Sequence, residues 1–206
     1  MICTDFAPEM VDAARRLGAE HGLDNVEYRV LDAERMDFDD DSVDVILCRS
    51  ALMIMADPGA ALAESRRVLR PGGIFACSVF TTPAENPWVA LPIEVFIERA
   101  HIQRPDASGP GMFALGDPDH LRRLVTDAGF ADVEIDGIGF AHRWADEDEV
   151  WRTISEVNAR MAPIVAAMDA AERTATRRAV IDAFVPYRQP DGSFHAPAQA
   201  WGVAAR

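Results

Sequence analysis

The 206-residue chain contains no lysine, so all 20 of its basic residues are arginines. This absence excludes three kinds of active site: the lysine of a phosphate-binding loop, a lysine that forms a Schiff base, and the tyrosine–lysine pair of short-chain dehydrogenases. The basic residues are also outnumbered by 34 acidic ones, which gives a net charge of −14. Because no basic stripe exists to collect phosphates, we expect neither nucleic acid nor an anionic membrane as a partner.

Cysteine is scarce as well, and Cys3, Cys48 and Cys77 fall one each on short apolar runs. No pair has the spacing of a zinc site, so we expect small buried side chains and no metal. No apolar run is long enough to span a bilayer, and the amino terminus lacks the basic region and apolar stretch of a secretory signal. A reducing cytoplasm is the expected compartment.

What the chain does have is a series of short apolar runs that alternate with helical stretches, in a length that suits one α/β domain. The best marked part spans Val43 to Phe80. Two apolar runs, typical of buried parallel strands, flank a helix that Asp57 can cap and Pro58 can begin. Pro71 predicts the end of this helix, and the glycines that follow it permit a turn with positive φ. The pattern indicates a right-handed strand–helix–strand unit.

Capping signals and apolar stripes predict further elements on both sides of this unit. A helix is predicted from Pro8 to His21, with an inward face of Met10, Ala13, Ala14 and Leu17. The other helices are predicted from Pro87 (capped by Asn86) to about Arg104, from Pro118 to Gly129, and from Glu147 to about Met168 with a kink at Pro163. A second helix follows the last of these and runs to about Phe184. Strands are predicted at 26–30, 133–140 and 194–204, and a flexible connection at 105–111.

Four motifs follow one another in a fixed order: Asp5-Phe6-Ala7-Pro8-Glu9-Met10, Asp32-Ala33-Glu34, Phe38 with Ser42-Val43-Asp44-Val45-Ile46, and Arg66-Arg67-Val68-Leu69-Arg70-Pro71-Gly72-Gly73. In this order and spacing they resemble the class I S-adenosylmethionine-dependent methyltransferases, and among these the small-molecule type related to ubiquinone and menaquinone biosynthesis. The resemblance implies an α/β fold, a Rossmann-like three-layer sandwich with a mostly parallel sheet and an antiparallel last strand. It also implies S-adenosyl-L-methionine as the cofactor and a small-molecule acceptor. We expect a single domain over 1–206, with a helical lid inserted at 145–190.

The chain departs from that family at its amino terminus. The family's glycine-rich loop follows a first strand that lies upstream of the residue matched by Asp5, whereas 1–206 begins at what resembles the second strand. The resemblance therefore implies an N-terminally truncated sheet, because the family's first strand is central and its neighbours lose a partner without it. We expect Met1–Thr4 to pair poorly, or to pair directly with Val43–Arg49.

Two carboxylates are the main candidates for binding the cofactor. Asp5 ends a strand, where open α/β sheets bind ligands, and its carboxylate can accept both hydroxyls of a ribose. The alternative for Asp5 is a cap on the helix that follows. By the resemblance, Asp32 accepts the adenine amino group beside the backbone of Ala33; the alternative is an aspartate that only stabilises a turn.

Three further side chains complete the predicted cofactor site. Phe6 and Met10 are candidates to pack on the adenine, and for Met10 packing in the protein core is an equal alternative. Arg49 ends the central strand, from where it could meet the carboxylate of the cofactor's methionine part; the alternative is an ordinary surface arginine.

Scattered histidine and tryptophan residues are the only candidates for binding the acceptor molecule. His101 and His142 are candidates to line a substrate pocket, and Trp88, Trp144 and Trp151 to line or cover the cleft, although packing in the core is the simpler interpretation of each. We name no catalytic residue, because transfer of an already activated methyl group needs no dedicated base.

Two other functions remain open from the sequence. A nicotinamide-dependent oxidoreductase would use the same acidic residue after its second strand, but the Arg-Pro-Gly-Gly turn and the missing tyrosine–lysine pair argue against it. A truncated, non-catalytic remnant or partner-binding module is the third hypothesis, and the missing glycine-rich loop supports it.

Overall fold

A computed structural model describes residues 1–104, 109–158 and 160–206. By contact density the chain divides into two compact units, called here the first unit (Met1–Ser78, Pro118–Ile135 and Gly202–Arg206) and the second unit (Val79–Asp117 and Asp136–Trp201). In chain order the strands and α-helices are β1 (Ile2–Asp5), α1 (Pro8–Glu20), β2 (Glu27–Val30), β3 (Val43–Arg49), α2 (Pro58–Val68), β4 (Leu69–Phe80), α3 (Pro87–Glu98), α4 (Pro118–Asp127), β5 (Glu134–Trp144), α5 (Glu147–Arg152), α6 (Ala162–Ala167), α7 (Ala170–Phe184) and β6 (Phe194–Ala205).

The strands form a two-stranded sheet and a four-stranded sheet. β1 and β2 pair in parallel, with Asp5 opposite Val30 at the carboxyl end. β3 and β4 also pair in parallel, with Arg49 opposite Ser78 at the corresponding end, and the order of the larger sheet is β3-β4-β6-β5. This mixed α/β arrangement, with parallel pairs and helical connections, confirms the predicted Rossmann-like fold.

β1 has β2 as its single strand partner in the described part of the chain, and β3 has only β4. Direct pairing of β1 with β3, one of the two predicted outcomes, is therefore wrong. Poor pairing of β1, the other outcome, holds only for one edge, because all four residues of β1 pair with β2 on the other edge. The apolar side chains of Val45 and Leu47 in β3 are 53% and 77% exposed. These strands consequently keep free edges and an uncovered apolar surface.

α2 begins where the sequence predicts. The Asp57 side chain accepts a hydrogen bond from the Ala60 amide at 2.9 Å, and Pro58 is the first helical residue. The helix ends at Val68, before Pro71, because the chain turns directly into β4. Gly72 has a φ of +80°, as predicted for a turn glycine.

α1 buries a different face from the predicted one. Met10 and Leu17 are 57% and 55% exposed, while Val11 and Gly18 are buried. A Cβ atom at Gly18 would lie 1.8 Å from the Tyr28 hydroxyl oxygen, so the absence of a side chain lets the helix approach β2 closely. This contact orients the helix, and the apolar stripe that was predicted to face inward lies largely at the surface.

Two predicted helices differ in length from the observed ones. α3 ends at Glu98 instead of near Arg104, since Ala100 takes a φ of +61° that a helix does not allow. The single helix predicted over 147–168 consists of α5, a π-helical turn and α6, and Pro163 lies in the first turn of α6 instead of causing a kink. The predicted flexible connection falls largely on 105–108, outside the described residues.

The second unit has a continuous hydrophobic core contributed by α3 and by the elements from β5 onward. Its buried members are Val95, Phe96, Trp144, Val150, Ile154, Met161, Val165, Val180, Ile181, Phe184, Phe194 and Ala196. No helix among the described ranges is both long and apolar enough to cross a membrane.

Candidate functional site

The two candidate carboxylates lie at the same edge of the parallel pair in the first unit. Asp5 is the last residue of β1, and Asp32 follows β2 by two residues. The Leu31 amide donates a hydrogen bond to the Asp5 carbonyl oxygen at 3.0 Å, which continues the pairing beyond the strand ends. Carboxyl ends of parallel strands are where α/β sheets bind ligands, so the fold brings these side chains to the expected edge.

Each carboxylate stabilises a local turn and keeps further capacity to accept hydrogen bonds. Asp5 Oδ1 accepts the Ala7 amide at 2.8 Å, and Asp32 Oδ1 accepts the Glu34 amide at 2.9 Å. The turn role that the sequence offered as the alternative for Asp32 is thus present. Asp5 forms a turn of the same kind, but it does not cap α1, whose N-cap is Ala7 with no side-chain cap bond. Within the described residues the Oδ2 atoms of both side chains make no hydrogen bond to protein, and both residues are exposed. Local structure and ligand binding are therefore compatible here.

Two large apolar side chains lie exposed near this edge. Phe6 directly follows Asp5 and is 74% exposed, and Met10, one helical turn further, is 57% exposed. Ala33, beside Asp32, is half-buried. Apolar side chains can pack against a flat ring, and a neighbouring carboxylate can accept hydrogen bonds from the hydroxyls of a ribose. This edge therefore offers both kinds of contact.

Arg49 lies at the carboxyl end of β3. Its side chain is exposed and makes no ion pair or hydrogen bond with the described residues. The next residue, Ser50, has a φ of +54°, and its amide donates to the Ser78 carbonyl oxygen at 2.9 Å. Serine rarely adopts this conformation, and such strain concentrates where strands end at functional sites. Sequence reasoning missed Ser50, since no local pattern marks a serine for positive φ.

Three of the five rings proposed for the acceptor side come together in the second unit. The Trp88 and His142 rings stack with centroids 3.8 Å apart and planes at 23°, and Trp144 stacks on His142 at 5.9 Å. Phe80 meets Trp88 edge-on at 5.3 Å, and Phe140 lies 5.7 Å from His142. We call these five residues the aromatic cluster.

His142 is the polar member of the aromatic cluster. Burial lowers the pKa of its imidazole, because the charged form is disfavoured away from water. In the described part of the chain its ring nitrogens make no hydrogen bond to protein. The cluster therefore offers a half-buried, neutral imidazole between two indole rings.

The other two rings lie elsewhere in the second unit. His101 Nε2 lies 2.9 Å from Glu172 Oε1 and 3.2 Å from Thr176 Oγ1, and Arg99 donates two hydrogen bonds to the same Glu172 oxygen. The Arg99 guanidinium holds the pKa of Glu172 below its usual range. His101 thus belongs to a polar cluster that joins the end of α3 to α7, and Trp151 packs on the hydrophobic core.

Asn86 has a role that the sequence did not predict. Its side chain does not cap α3. Instead Nδ2 donates to Thr81 Oγ1 at 3.0 Å and to the Thr82 and Gln199 carbonyl oxygens at 3.1 and 2.9 Å. Oδ1 accepts from the Gln199 amide at 3.0 Å and from Trp88 Nε1 at 3.3 Å. This fully buried amide therefore fixes the loop after β4 and orients the Trp88 indole of the aromatic cluster.

The cysteines lie on strands, as predicted. Cys77 is buried, and burial raises the pKa of its thiol to about 12. Burial also raises the pKa of Cys48, and Cys3 is half-buried. Thiols with raised pKa values are poor nucleophiles, so these side chains pack in strands and serve no evident chemistry. No group of histidine, cysteine, aspartate or glutamate in the described ranges is arranged to hold a metal ion.

Comparison with known proteins finds similarity over part of the chain. A family model described as a methyltransferase domain matches residues 1–77. The chain is 29% identical over 137 residues to an arsenite methyltransferase of Halobacterium salinarum, covering 66% of this chain and 32% of that protein. It is 33% identical over 97 residues to a ubiquinone/menaquinone biosynthesis C-methyltransferase of Hahella chejuensis, covering 47% and 39%. The matched part thus spans about a third of the length of the curated relatives.

The fold agrees with this sequence match. A crystal structure of a putative methyltransferase from Bacillus halodurans superposes with a TM-score of 0.59 at 18% identity, covering 100% of this chain and 81% of that one. At this identity the likeness concerns the fold alone. Residues 1–77 of the chain are thus similar to a methyltransferase domain, and the fold of the chain is similar to that of a solved methyltransferase.

Proposed function

We propose that the protein transfers a methyl group from S-adenosyl-L-methionine to a small-molecule acceptor. The observation that carries this proposal is the pair of carboxylates, Asp5 and Asp32, at the ends of adjacent parallel strands. A nicotinamide-dependent reaction is not favoured, because the matching family model and the two curated relatives named above are methyltransferases.

Each residue of the cofactor site has a role that its position suits. The free oxygen of Asp5 would accept the ribose hydroxyls, and Asp32 would accept the adenine amino group beside the Ala33 backbone. Phe6 and Met10 would cover the faces of the adenine, which would remove their exposed apolar surface from water. The unpaired guanidinium of Arg49 would bind the carboxylate of the methionine part.

The chemistry of the reaction belongs to the cofactor, whose sulfonium supplies an already activated methyl group. The task of the chain is to hold the acceptor, orient it and exclude water. We infer that the aromatic cluster of the second unit contributes to acceptor binding, with Trp88 and Phe140 offering apolar surface and His142 a neutral hydrogen-bonding group. The helices α5, α6 and α7 would act as a lid over the acceptor. Three free cysteines fit a reducing cytoplasm.

Isothermal titration calorimetry with S-adenosylmethionine and with NADH separates the three hypotheses. We expect the wild-type chain to bind the first and not the second. Asp5→Ala should weaken binding of S-adenosylmethionine about tenfold or more, because hydrogen bonds to a charged group contribute about 1.5–3 kcal/mol. Asp24→Asn, at an exposed loop position outside the site, is the matched control and should leave the affinity unchanged.

The alternatives give different results in the same titrations. Binding of NADH in preference to S-adenosylmethionine would favour the oxidoreductase. Binding of neither ligand would favour the non-catalytic remnant, and equal affinity of the Asp5→Ala variant and the wild type would show that the cofactor lies elsewhere.

A further inference from the structure

β5 lies at the outer edge of the four-stranded sheet, and β6 is its one strand partner in the described part of the chain. Residues 136–141 of β5 are all exposed, although alternate residues of a strand point to opposite faces of the sheet. Neither face is therefore covered along this stretch. The backbone amides and carbonyls of the outer edge are consequently accessible to a further strand.

The sequence of this edge lacks the devices that usually prevent pairing with another chain. Edge strands of soluble proteins commonly carry lysine, proline or inward-pointing charges, which disfavour a further strand. Residues 137–141 read Gly-Ile-Gly-Phe-Ala and contain neither a charge nor a proline. The side chains of Ile138 and Phe140, on one face, are 50% and 43% exposed. The middle of β5 is thus open to strand addition.

Two polar residues without hydrogen-bond partners flank this run. Asp136 precedes the run and His142 follows it, and both lie on the face of Ile138 and Phe140 because alternate residues share a face. Neither the carboxylate of Asp136 nor the ring nitrogens of His142 make a hydrogen bond to the described residues. The two residues are equally far from Gly139 along the strand, so a two-fold axis at that glycine would bring each against the other.

An antiparallel pair of β5 strands centred on Gly139 matches the chemistry of both copies. Asp136 of one copy would lie opposite His142 of the other, and Ile138 opposite Phe140. Side chains opposite each other in antiparallel strands have Cβ atoms about 5 Å apart, which permits both a hydrogen bond and apolar contact. Centring the pair one residue earlier would instead place Phe140 against Asp136. Centring it one residue later would place Ile138 against His142.

We propose that β5 pairs with β5 of a second copy of this chain, antiparallel and centred on Gly139, to form a two-fold symmetric dimer. The edge of each copy would satisfy the backbone groups of the other. Pairing would also remove exposed apolar surface of Ile138 and Phe140 from water. A strand of another protein would need a carboxylate and an imidazole at the same spacing, whereas a second copy supplies both by symmetry.

The dimer would also complete the aromatic cluster. A neutral imidazole donates from one ring nitrogen and accepts at the other. Donation from His142 to the carboxylate of Asp136 in the second copy would fix the tautomer and leave the other nitrogen as an acceptor. Phe140, the exposed member of the cluster, would gain Ile138 of the second copy as a neighbour. The dimer itself does not depend on the proposed function.

Sedimentation velocity without any cofactor tests the dimer at protein concentrations from about 1 to 100 µM, the range in which small interfaces dissociate. We expect the sedimenting mass of the wild-type chain to double across this range. Hydrogen exchange of the outer-edge amides in 136–141 should slow about tenfold or more in the dimer, since these amides gain partners. Amides of α7, in the core of the second unit, should exchange equally at both concentrations.

A lysine on the edge tests where the two copies meet. Ile138→Lys should raise the Kd of the dimer about tenfold or more, because a charge on an edge strand opposes pairing. Val185→Lys, at a position outside β5 that is 52% exposed, is the matched control and should leave the Kd unchanged.

An exchange of charges tests the register. Asp136→Lys and His142→Glu should each raise the Kd about tenfold or more, because each removes a hydrogen bond to a charged group. The double variant should recover the wild-type Kd to within about threefold, since the new lysine of one copy would lie opposite the new glutamate of the other.

Four results would overturn the proposal. The first is a wild-type chain that stays monomeric across the concentration range. The second is slow exchange of 136–141 already in the monomer, which would show that another part of the chain covers the edge. The third is a dimer whose Kd is unchanged by Ile138→Lys, and the fourth is a double variant as weak as the single ones. Because no methyl donor takes part, these results are independent of the cofactor titrations.

Discussion

The two units differ in how completely their apolar side chains are buried. Of fourteen large hydrophobic residues exposed in the described ranges, eleven belong to the first unit and three to the second. The eleven are Met1, Ile2, Phe6, Met10, Leu17, Leu23, Val30, Val45, Leu47, Ile54 and Ile74. The unit that carries the family's sequence motifs is therefore the less completely packed one. A sequence motif and the packing around it are separate properties. Ligand-binding loops and strand ends can keep their motif residues even where the sheet beside them is not covered.

The largest expected contrast comes from truncating one large side chain in each unit. Phe184 is fully buried and its ring contacts Trp144 and Tyr187, so Phe184→Ala should lower the free energy of unfolding by about 3–5 kcal/mol. Leu47→Ala, at a position that is 77% exposed, should change it by less than about 0.5 kcal/mol. Urea denaturation followed by circular dichroism measures both values. Similar losses for the two variants would contradict the difference in packing.

A smaller effect tests whether local interactions also differ between the units. Asp57 caps α2 in the first unit and Asp169 caps α7 in the second, each through a side-chain bond to a backbone amide at 2.9 and 2.8 Å. Replacing either aspartate by alanine should lower the free energy of unfolding by about 1 kcal/mol, because a cap acts within one helical turn. Equal losses of unfolding free energy for the two variants would show that the units differ in burial and not in these local interactions. A cap that costs nothing in the first unit would indicate that its helices are unstable as well.

The smallest effect concerns His142 in the aromatic cluster. Burial lowers the pKa of His142 in the folded protein, so below about pH 6.5 the unfolded chain binds the proton first. The free energy of unfolding should therefore fall as the pH is lowered below about 6.5, and it should keep its full value above that pH. His142→Asn should remove part of this loss between pH 7.5 and pH 5.5, as measured by chemical denaturation at both values. An identical loss in the variant and the wild type would show that the imidazole is not responsible.

Sequence reasoning succeeded where the cause is local. The cap at Asp57, the proline that begins α2 and the turn at Gly72 depend on residues within a few positions of one another. The carboxylates Asp5 and Asp32 were also predictable as strand ends, since short apolar runs mark the strands before them.

The misjudged features depend on distant partners. The face of α1 is set by the fit of Gly18 against Tyr28, which no helical periodicity encodes. The role of Asn86 depends on Gln199, 113 residues away, so its local position before Pro87 suggested only a cap. The exposure of Leu47 reflects a sheet face that the described residues leave uncovered, whereas its apolar sequence is typical of a strand covered on both faces.

The bonds of Asn86 also constrain the order in which the protein can mature. The loop after β4 is translated well before its partner, because two of the hydrogen bonds of its buried amide are made by the backbone of Gln199, 113 residues further along the chain. A nascent chain cannot settle this loop until Gln199 has left the ribosome, because the buried amide would otherwise lack those partners. The second unit consequently completes its folding only once Gln199 is available, however early its first helix forms.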